Sequence, residues 1–211
     1  YFVDEIFDKY FPENKLSLEL SSKPRLACIQ TSLCAMQVLF NGNSSEKQKW
    51  LVSAQKVRIR GRLDLRQNVF WRKHGKYFKT MLFDGGHNFD ALTALLEFLT
   101  TNKLVPCTLI LGMAADKLDP ALRNPLKKLC EKAGNLIFTP MPSPRSATPE
   151  ALENFITECG NFEHSPEINH SSSAEEALKK VLHANEKPVV VAGSFYLVGE
   201  IMKILENGRA A

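Results

Sequence analysis

In the stretch Thr80-Met-Leu-Phe-Asp-Gly-Gly-His-Asn88, a short apolar run ends in a carboxylate, two glycines, an imidazole and an amide before helical periodicity begins. That order reads as a strand, a tight loop and a helix start. In a sheet covered by helices, ligands bind outside the carboxyl ends of the strands, and glycines there let a backbone come close. Asp84, His87 and Asn88 would sit at such an edge; the plain alternative is that Asp84 caps the helix beginning near Phe89 and His87 is a solvated loop residue. Upstream, Arg62 follows Gly61, which gives it freer access to a ligand, and its fixed planar donors suit phosphate oxygens. Asp84 cannot approach phosphates without a cation between them, so its chemistry would be to bind ribose hydroxyls or to orient Arg62. The neighbouring Arg58, Arg60 and Arg66 read as a solvated strand face.

The elements that must position these groups follow from periodicity. Residues 1 to 22 hold an aromatic, acidic opening and an alternating segment, Lys15 to Leu20, with the look of a half-buried strand. Ser21-Ser22 and Pro24 start a helix in which Leu26, Ile29, Leu33, Met36 and Phe40 recur, and Asn41-Gly42-Asn43 ends it. A more polar helix is expected over Ser45 to Ala54. Period-two alternation from Val57 to Arg66 predicts a strand, and Val69 to Arg72, a Lys73-His74-Gly75 turn and Tyr77 to Phe83 predict a hairpin entering the central strand.

Beyond Asn88 helices and strands alternate. A helix from Phe89 to Thr101, a strand from Cys107 to Met113 and a helix opened by Asp119-Pro120 come first. A strand from Asn135 to Thr139 then runs into the proline-rich loop 140–147, and Thr148-Pro149-Glu150 starts the next helix. The pattern is weak from Phe162 to Asn169. Ser171 to Ser173 cap a helix reaching about Asn185, and Pro188 to Gly193 form a buried strand that turns at Ser194 into a helix from Phe195 to Glu206, closed by Asn207-Gly208. This succession predicts a mostly parallel α/β sheet, Rossmann-like, with helices on both faces and entered by a β-hairpin. Its strand ends would gather Asp84 and His87, Asp116 and Lys117, Arg145, and Ser194 along one rim. Each also has a plainer role: a solvated turn for Asp116 and Lys117, a surface loop for Arg145, a helix cap for Ser194.

Composition narrows the class. With 211 residues, a net charge of +4 and a pI near 8.8, the chain allows an anionic small ligand but lacks the dense basic face of a nucleic-acid binder. Five cysteines without a C-x-x-C pair suggest buried, reduced thiols and a cytoplasmic setting. No run approaches the roughly 20 apolar residues of a membrane helix, and no signal-peptide pattern occurs. The chain opens on Tyr1, from which a missing upstream segment is expected. The sequence carries neither G-x-x-x-x-G-K-[ST] nor G-x-G-x-x-G, nor H-E-x-x-H, G-x-S-x-G or clustered Cys/His ligands. If the chain works on a nucleotide, another domain must hold most of the phosphates.

Five ordered motifs, Gly61-Arg62, Phe83-Asp-Gly-Gly-His-Asn88, Leu111-Gly-Met-Ala-Ala-Asp-Lys117, Ser143-Pro-Arg-Ser-Ala-Thr-Pro-Glu150 and Gly193-Ser-Phe-Tyr-Leu-Val-Gly199, resemble those of the carboxy-terminal domain of folylpolyglutamate synthase and dihydrofolate synthase, within the Mur ligases. The resemblance covers about residues 57 to 206. It implies that residues 57–211 are this domain and residues 1–56 the tail of a central ATP-binding domain. It also implies an ATP-dependent ligase adding glutamate to dihydropteroate or folate through an acyl phosphate, with ATP and Mg2+ required and the metal ligands upstream. By resemblance, Arg62, Asp84, His87 and Ser194 contact the nucleotide; Lys117 and Arg145 are weaker candidates for the amino-acid substrate, and no catalytic residue is assigned. The protein is expected to be a monomer, and this chain alone to be inactive.

The chain departs from the family pattern at Arg60, where proline is usual, at Gly86, where alanine is usual, and at Cys28, which aligns with an asparagine used for nucleotide contact. The hairpin between Arg62 and Asp84 is also long. Two other readings remain open at this stage: a Mur-type ligase of cell-wall precursors, and a noncatalytic nucleotide-binding α/β module.

Overall fold

Three helices precede the sheet: α1 (Phe2–Tyr10), α2 (Lys23–Phe40) and α3 (Ser44–Lys56). In this computed structural model they belong to one unit, Tyr1–Arg58, and the rest of the chain forms a second, Ile59–Ala211. The structure describes residues 2–11, 23–158, 160, 162–164, 166–182 and 187–207. Lys15 to Leu20, Ser21-Ser22, Cys159, Asn185 and Gly208 lie outside them. The first unit closes over Phe7, Phe11, Leu33 and Leu51. Asn43 and Glu46 complete a reciprocal cap at the start of α3, which satisfies two N–H groups that the helix itself cannot pair.

In the second unit, strands β1 (Asp64–Trp71) and β2 (Lys76–Asp84) pair antiparallel from Asp64↔Phe83 to Trp71↔Lys76. The turn between them ends on Gly75 at φ 59°, a left-handed conformation that costs glycine nothing. The expected strand from Val57 to Arg66 is corrected: β1 begins only at Asp64. Val57 and Ile59 are 53% and 63% exposed, and Gly61 and Leu63 have φ of 72° and 43°, which break an extended ladder. Alternation there marks a turn, and Gln67-Asn68 lies inside the strand instead of ending it.

From β2 the chain runs through α4 (Phe89–Thr101), β3 (Cys107–Leu111), α5 (Arg123–Cys130), β4 (Ala133–Phe138), α6 (Pro149–Thr157), β5 (Glu167–His170), α7 (Ala174–Val181), β6 (Val189–Ala192) and α8 (Phe195–Glu206). Asp119-Pro120 opens a short 3-10 turn, and α5 follows it. The sheet order is β1-β2-β6-β3-β4-β5, with every pair after the first parallel. The expected mostly parallel sheet and its hairpin are both present. Strand β5, polar and only four residues long, escaped the periodicity because an edge strand buries too little to need an apolar pattern.

Alternate strand residues serve the two faces. Leu82, Leu109, Leu136 and Val190 pack with α4, α5 and α6, while Met81, Phe83, Ile110 and Val191 pack with α7 and α8. Each such fully buried aliphatic side chain contributes about 1.5–3 kcal/mol. Because β6 returns between β2 and β3, the helix after it covers one face while the helices after its neighbours cover the other. That divergence is the topological switch point, where open α/β sheets place ligands.

The strand ends converge too tightly there for side chains. Gly193 has φ 97°, and a Cβ on it would stand 2.7 Å from the Gly112 carbonyl oxygen. We expect Gly193→Ala to lower the unfolding free energy by about 2 kcal/mol or more, from backbone strain and overpacking together. Urea denaturation of the chain checks this, and an unchanged midpoint would refute it.

Candidate functional site

The site is built around the end of β2. Asp84 is 4% exposed, and each of its carboxylate oxygens accepts a backbone N–H: Oδ1 from Gly86 at 2.7 Å and Oδ2 from Leu63 at 2.8 Å. A third bond, from the Gly85 N–H to the Gly61 carbonyl at 2.8 Å, closes the junction. The turn before β1 is thereby fastened to the loop after β2. Asp64 reinforces it from within, accepting from the Gly61 N–H at 3.2 Å and from both Nε and Nη2 of Arg66 at 3.1 and 2.7 Å. Arg66 is thus a paired residue rather than part of a solvated face. Burial pushes the Asp84 carboxyl above its usual range, against the two N–H bonds and the positive charge of Arg62.

Arg62 stands on this fastened turn. Its guanidinium carbon lies 4.5 Å from the centre of the Phe195 ring, and among the described residues no hydrogen bond or ion pair engages the guanidinium. Arg62 and Asp84 are therefore brought together, one exposed and unengaged, the other buried and bonded. Each Asp84 oxygen still keeps a lone pair for a hydroxyl donor. His87 is half-buried, with Nδ1 3.1 Å from the Gly85 carbonyl; a carbonyl only accepts, so Nδ1 carries a proton in this contact.

The helix cap is not Asp84 but Asn88, whose side chain accepts from the Ala91 N–H at 2.9 Å. Ser194 caps α8 in the same way, accepting from the Tyr196 N–H at 3.1 Å and donating to the Met141 sulfur; it is 6% exposed. Lys117 and Arg145 fall on the neighbouring loops, after β3 and β4. Those loops are zipped together by Ala115 N–H to Arg145 carbonyl at 2.7 Å and Ala147 N–H to Met113 carbonyl at 2.9 Å. Arg145 reaches Asp116 at 3.2 Å, a half-exposed pair worth about 0–1 kcal/mol. Lys117 is exposed, with no side-chain partner among the described residues.

The rim residues thus form two groups along one edge, Arg62, Asp84 and His87 at β1–β2, and Asp116, Lys117 and Arg145 at β3–β4, with Ser194 at the strand between. A cavity of about 290 Å³ lined in part by Pro140, Met141, Glu175 and Glu200 includes none of them; of the rim side chains Arg62, Asp116, Lys117 and Arg145 are exposed, while Asp84 and Ser194 are buried. Sequence reasoning missed Phe195; its signal was an aromatic residue directly after the Gly193-Ser194 turn. Among the described residues no three His, Cys, Asp or Glu side chains converge on a point that could hold a metal ion. Cys34, Cys107 and Cys130 are buried and free, as expected of structural thiols, with Cys107 pushed up to about 12 by burial; Cys28 is exposed.

Fold and rim together define a doubly wound, mostly parallel α/β domain with its unengaged polar groups on the carboxyl edge. The chain belongs to the dihydrofolate synthetase C-terminal domain family, which matches residues 67–204. It is similar to the folylpolyglutamate synthase of Lacticaseibacillus casei, at 28% identity over 62% of this chain and 28% of that protein. It is equally similar to the dihydrofolate synthetase of Saccharomyces cerevisiae, at 28% identity over 59% of this chain and 30% of that protein. Among solved structures, Mycobacterium tuberculosis folylpolyglutamate synthase complexed with ADP and AMPPCP shares the fold, with a TM-score of 0.67 and 19% identity over 92% of this chain and 42% of that one. Escherichia coli FolC in complex with DHPP and ADP also has a TM-score of 0.67, at 20% identity over 87% of this chain and 40% of that one. The chain spans less than a third of the length of the curated relatives it matches. No helix among the described residues is long and apolar enough to cross a membrane.

Asp84→Asn replaces one acceptor by an NH2 group facing a backbone N–H, and should destabilise the second unit by about 1–3 kcal/mol. The pH dependence has a definite sign. Because the folded carboxyl titrates above its unfolded value, its contribution favours the folded state most below the unfolded pKa and is lost as pH rises through the folded one. Chemical denaturation at a series of pH values should therefore show the advantage of wild type over Asp84→Asn shrinking from acid toward neutral pH. A growing advantage would contradict the burial argument.

Proposed function

We propose that this chain is the closing, carboxy-terminal part of an ATP-dependent ligase that adds glutamate to dihydropteroate or folate. The observation that carries the reading is the unengaged guanidinium of Arg62 on a turn locked by Asp84, in a domain whose family and relatives bear dihydrofolate and folylpolyglutamate synthase names. Residues 1–56 are then the tail of a central ATP-binding domain, and residues 57–211 the domain that covers the nucleotide.

In this reaction ATP phosphorylates a substrate carboxylate, the amine of glutamate attacks the acyl phosphate, and phosphate leaves. Such chemistry asks for alignment and charge neutralisation rather than for an acid or base of unusual pKa. Arg62 supplies planar donors to phosphate oxygens. Asp84 holds the Arg62 turn and offers its remaining lone pairs to ribose hydroxyls, His87 lies on the adenine side, and Ser194 caps the helix beside them. Lys117, with no side-chain partner among the described residues, is the better partner for the incoming glutamate carboxylate than Arg145, which Asp116 already holds. Magnesium, implied by the resemblance, would take its ligands from the remainder of the polypeptide.

In the full-length polypeptide, Arg62→Ala should raise the KM for ATP and lower kcat/KM by about 10- to 100-fold in a radiolabelled-glutamate assay with dihydropteroate or folate. Its melting temperature should stay near wild type, because among the described residues the guanidinium makes no hydrogen bond or ion pair and its one aromatic contact is at the exposed edge. Unimpaired ligation by Arg62→Ala, or ligation of a nucleotide-linked muramyl peptide instead of the folate substrates, would overturn the reading.

A further inference from the structure

Phe195, the first residue of α8, is a large apolar side chain left 39% exposed at the carboxyl edge. Its ring is wedged against two glycine turns. A Cβ built on Gly85 would lie 2.5 Å from ring atoms Cγ and Cδ1, and one on Gly61 would lie 3.4 Å from Cε1. The turn at Gly85 therefore needs its glycine for the ring to sit where it does, whereas a side chain on Gly61 would meet the ring at ordinary contact distance. Gly61 and Gly85 are also the two residues joined by the 2.8 Å backbone bond of the junction. The ring stands on that joint, and Arg62, one residue from Gly61, lies over it at 4.5 Å.

We propose that Phe195 is a positioning residue for Arg62, holding the guanidinium over the rim by its aromatic face so that the group meets the nucleotide phosphates already oriented. The geometry suits that task better than an ion pair would. A ring face restrains a guanidinium carbon 4.5 Å above its centre by a cation–π attraction, which takes no conventional acceptor and so leaves the N–H donors to a phosphate. A carboxylate partner would take two of those donors and neutralise the charge. Restraint before binding also reduces the side-chain freedom lost when the ligand arrives. Ser194, by capping α8, fixes the helix end from which the ring projects. The inference rests on the nucleotide reading given above.

The test compares wild type, Arg62→Ala, Phe195→Leu, Phe195→Tyr and the Arg62→Ala/Phe195→Leu double variant in the full-length enzyme, with thermal melts as a folding control. Phe195→Leu keeps an apolar plug and removes the aromatic face; it should raise the KM for ATP about three- to thirtyfold, the range of a cation–π contact, with a smaller change in kcat. Phe195→Tyr should recover most of that loss, and the double variant should be no worse than Arg62→Ala. If Phe195→Leu does not fold, Phe195→Met serves in its place. A wild-type KM for ATP in the folded Leu or Met variant, or full multiplication of the two single losses in the double variant, overturns the proposal while an impaired Arg62→Ala leaves the nucleotide reading standing. An unimpaired Arg62→Ala overturns both.

Discussion

The arrangement at the carboxyl edge depends on one buried carboxylate. Asp84 joins two segments that are 21 residues apart in the chain, since the hairpin of β1 and β2 leaves the edge and returns to it between them. The antiparallel ladder alone brings Asp64 opposite Phe83, but it does not set the conformation of the turn that precedes it. That conformation is held by N–H groups pointing at carboxylates, Leu63 at Asp84 and Gly61 at Asp64. Leu63 adopts φ 43°, unusual for a branched aliphatic residue, and such a conformation persists where surrounding bonds over-determine it. The cost of burying the Asp84 charge and of bending the backbone at Leu63 is thus concentrated at the point where the chain presents Arg62.

Beneath this joint the sheet supplies rigidity. Phe83 and Met81 are fully buried on one face and Leu82 on the other, so the strand that ends in Asp84 is packed from both sides up to its last residue. At the next strands the same rigidity takes a different form. The closeness of Gly112 to the Thr139 carbonyl, and of Gly193 to Gly112, leaves no space for a side chain, and the three strand ends meet backbone to backbone. The loops above them carry the polar residues. Close packing below and loops above are the division by which a rigid scaffold positions polar side chains at an edge.

Much of this was legible in the chain. The helices from Phe89 and Phe195, the buried strand before Gly193 and the hairpin into Asp84 announce themselves through periodicity, caps and turn residues, because those signals are local. The common rim follows once the strands are known to be parallel. Three things were not legible, for one reason. That Asp84 bonds Leu63, that Asp116 takes Arg145, and that Phe195 rests on Gly61 and Gly85 are facts about chain segments meeting in space, and no spacing encodes them. The misread strand from Val57 to Arg66 has a different origin. Alternation is necessary for a half-buried strand but does not require one, and two residues with positive φ turned the same pattern into a connection. Helix α1 was missed as well: α6 and α7, just as short, were announced by Thr148-Pro149 and Ser173, whereas the aromatic, acidic opening carries no such start signal.

The contrast between Asp84 and Arg62 bears on how such a domain acts. A charge on an open rim is screened: at about 4 Å, an arginine and a phosphate attract by about 1 kcal/mol in water and about 4 kcal/mol in the less polar setting of a closed protein interface. Arg62 in this structure is exposed and so in the first situation, and among the described residues no carboxylate pairs with it. On the reading proposed above, a second domain that brought a nucleotide against the rim and excluded water would strengthen the attraction of this guanidinium, which no described residue hydrogen-bonds. A guanidinium held over an aromatic ring with no hydrogen bond from a described residue would, on that reading, suit a domain that completes a site rather than one that contains it. An arginine tied to a carboxylate would first have to break that bond, and the gain on closure would be reduced by the loss.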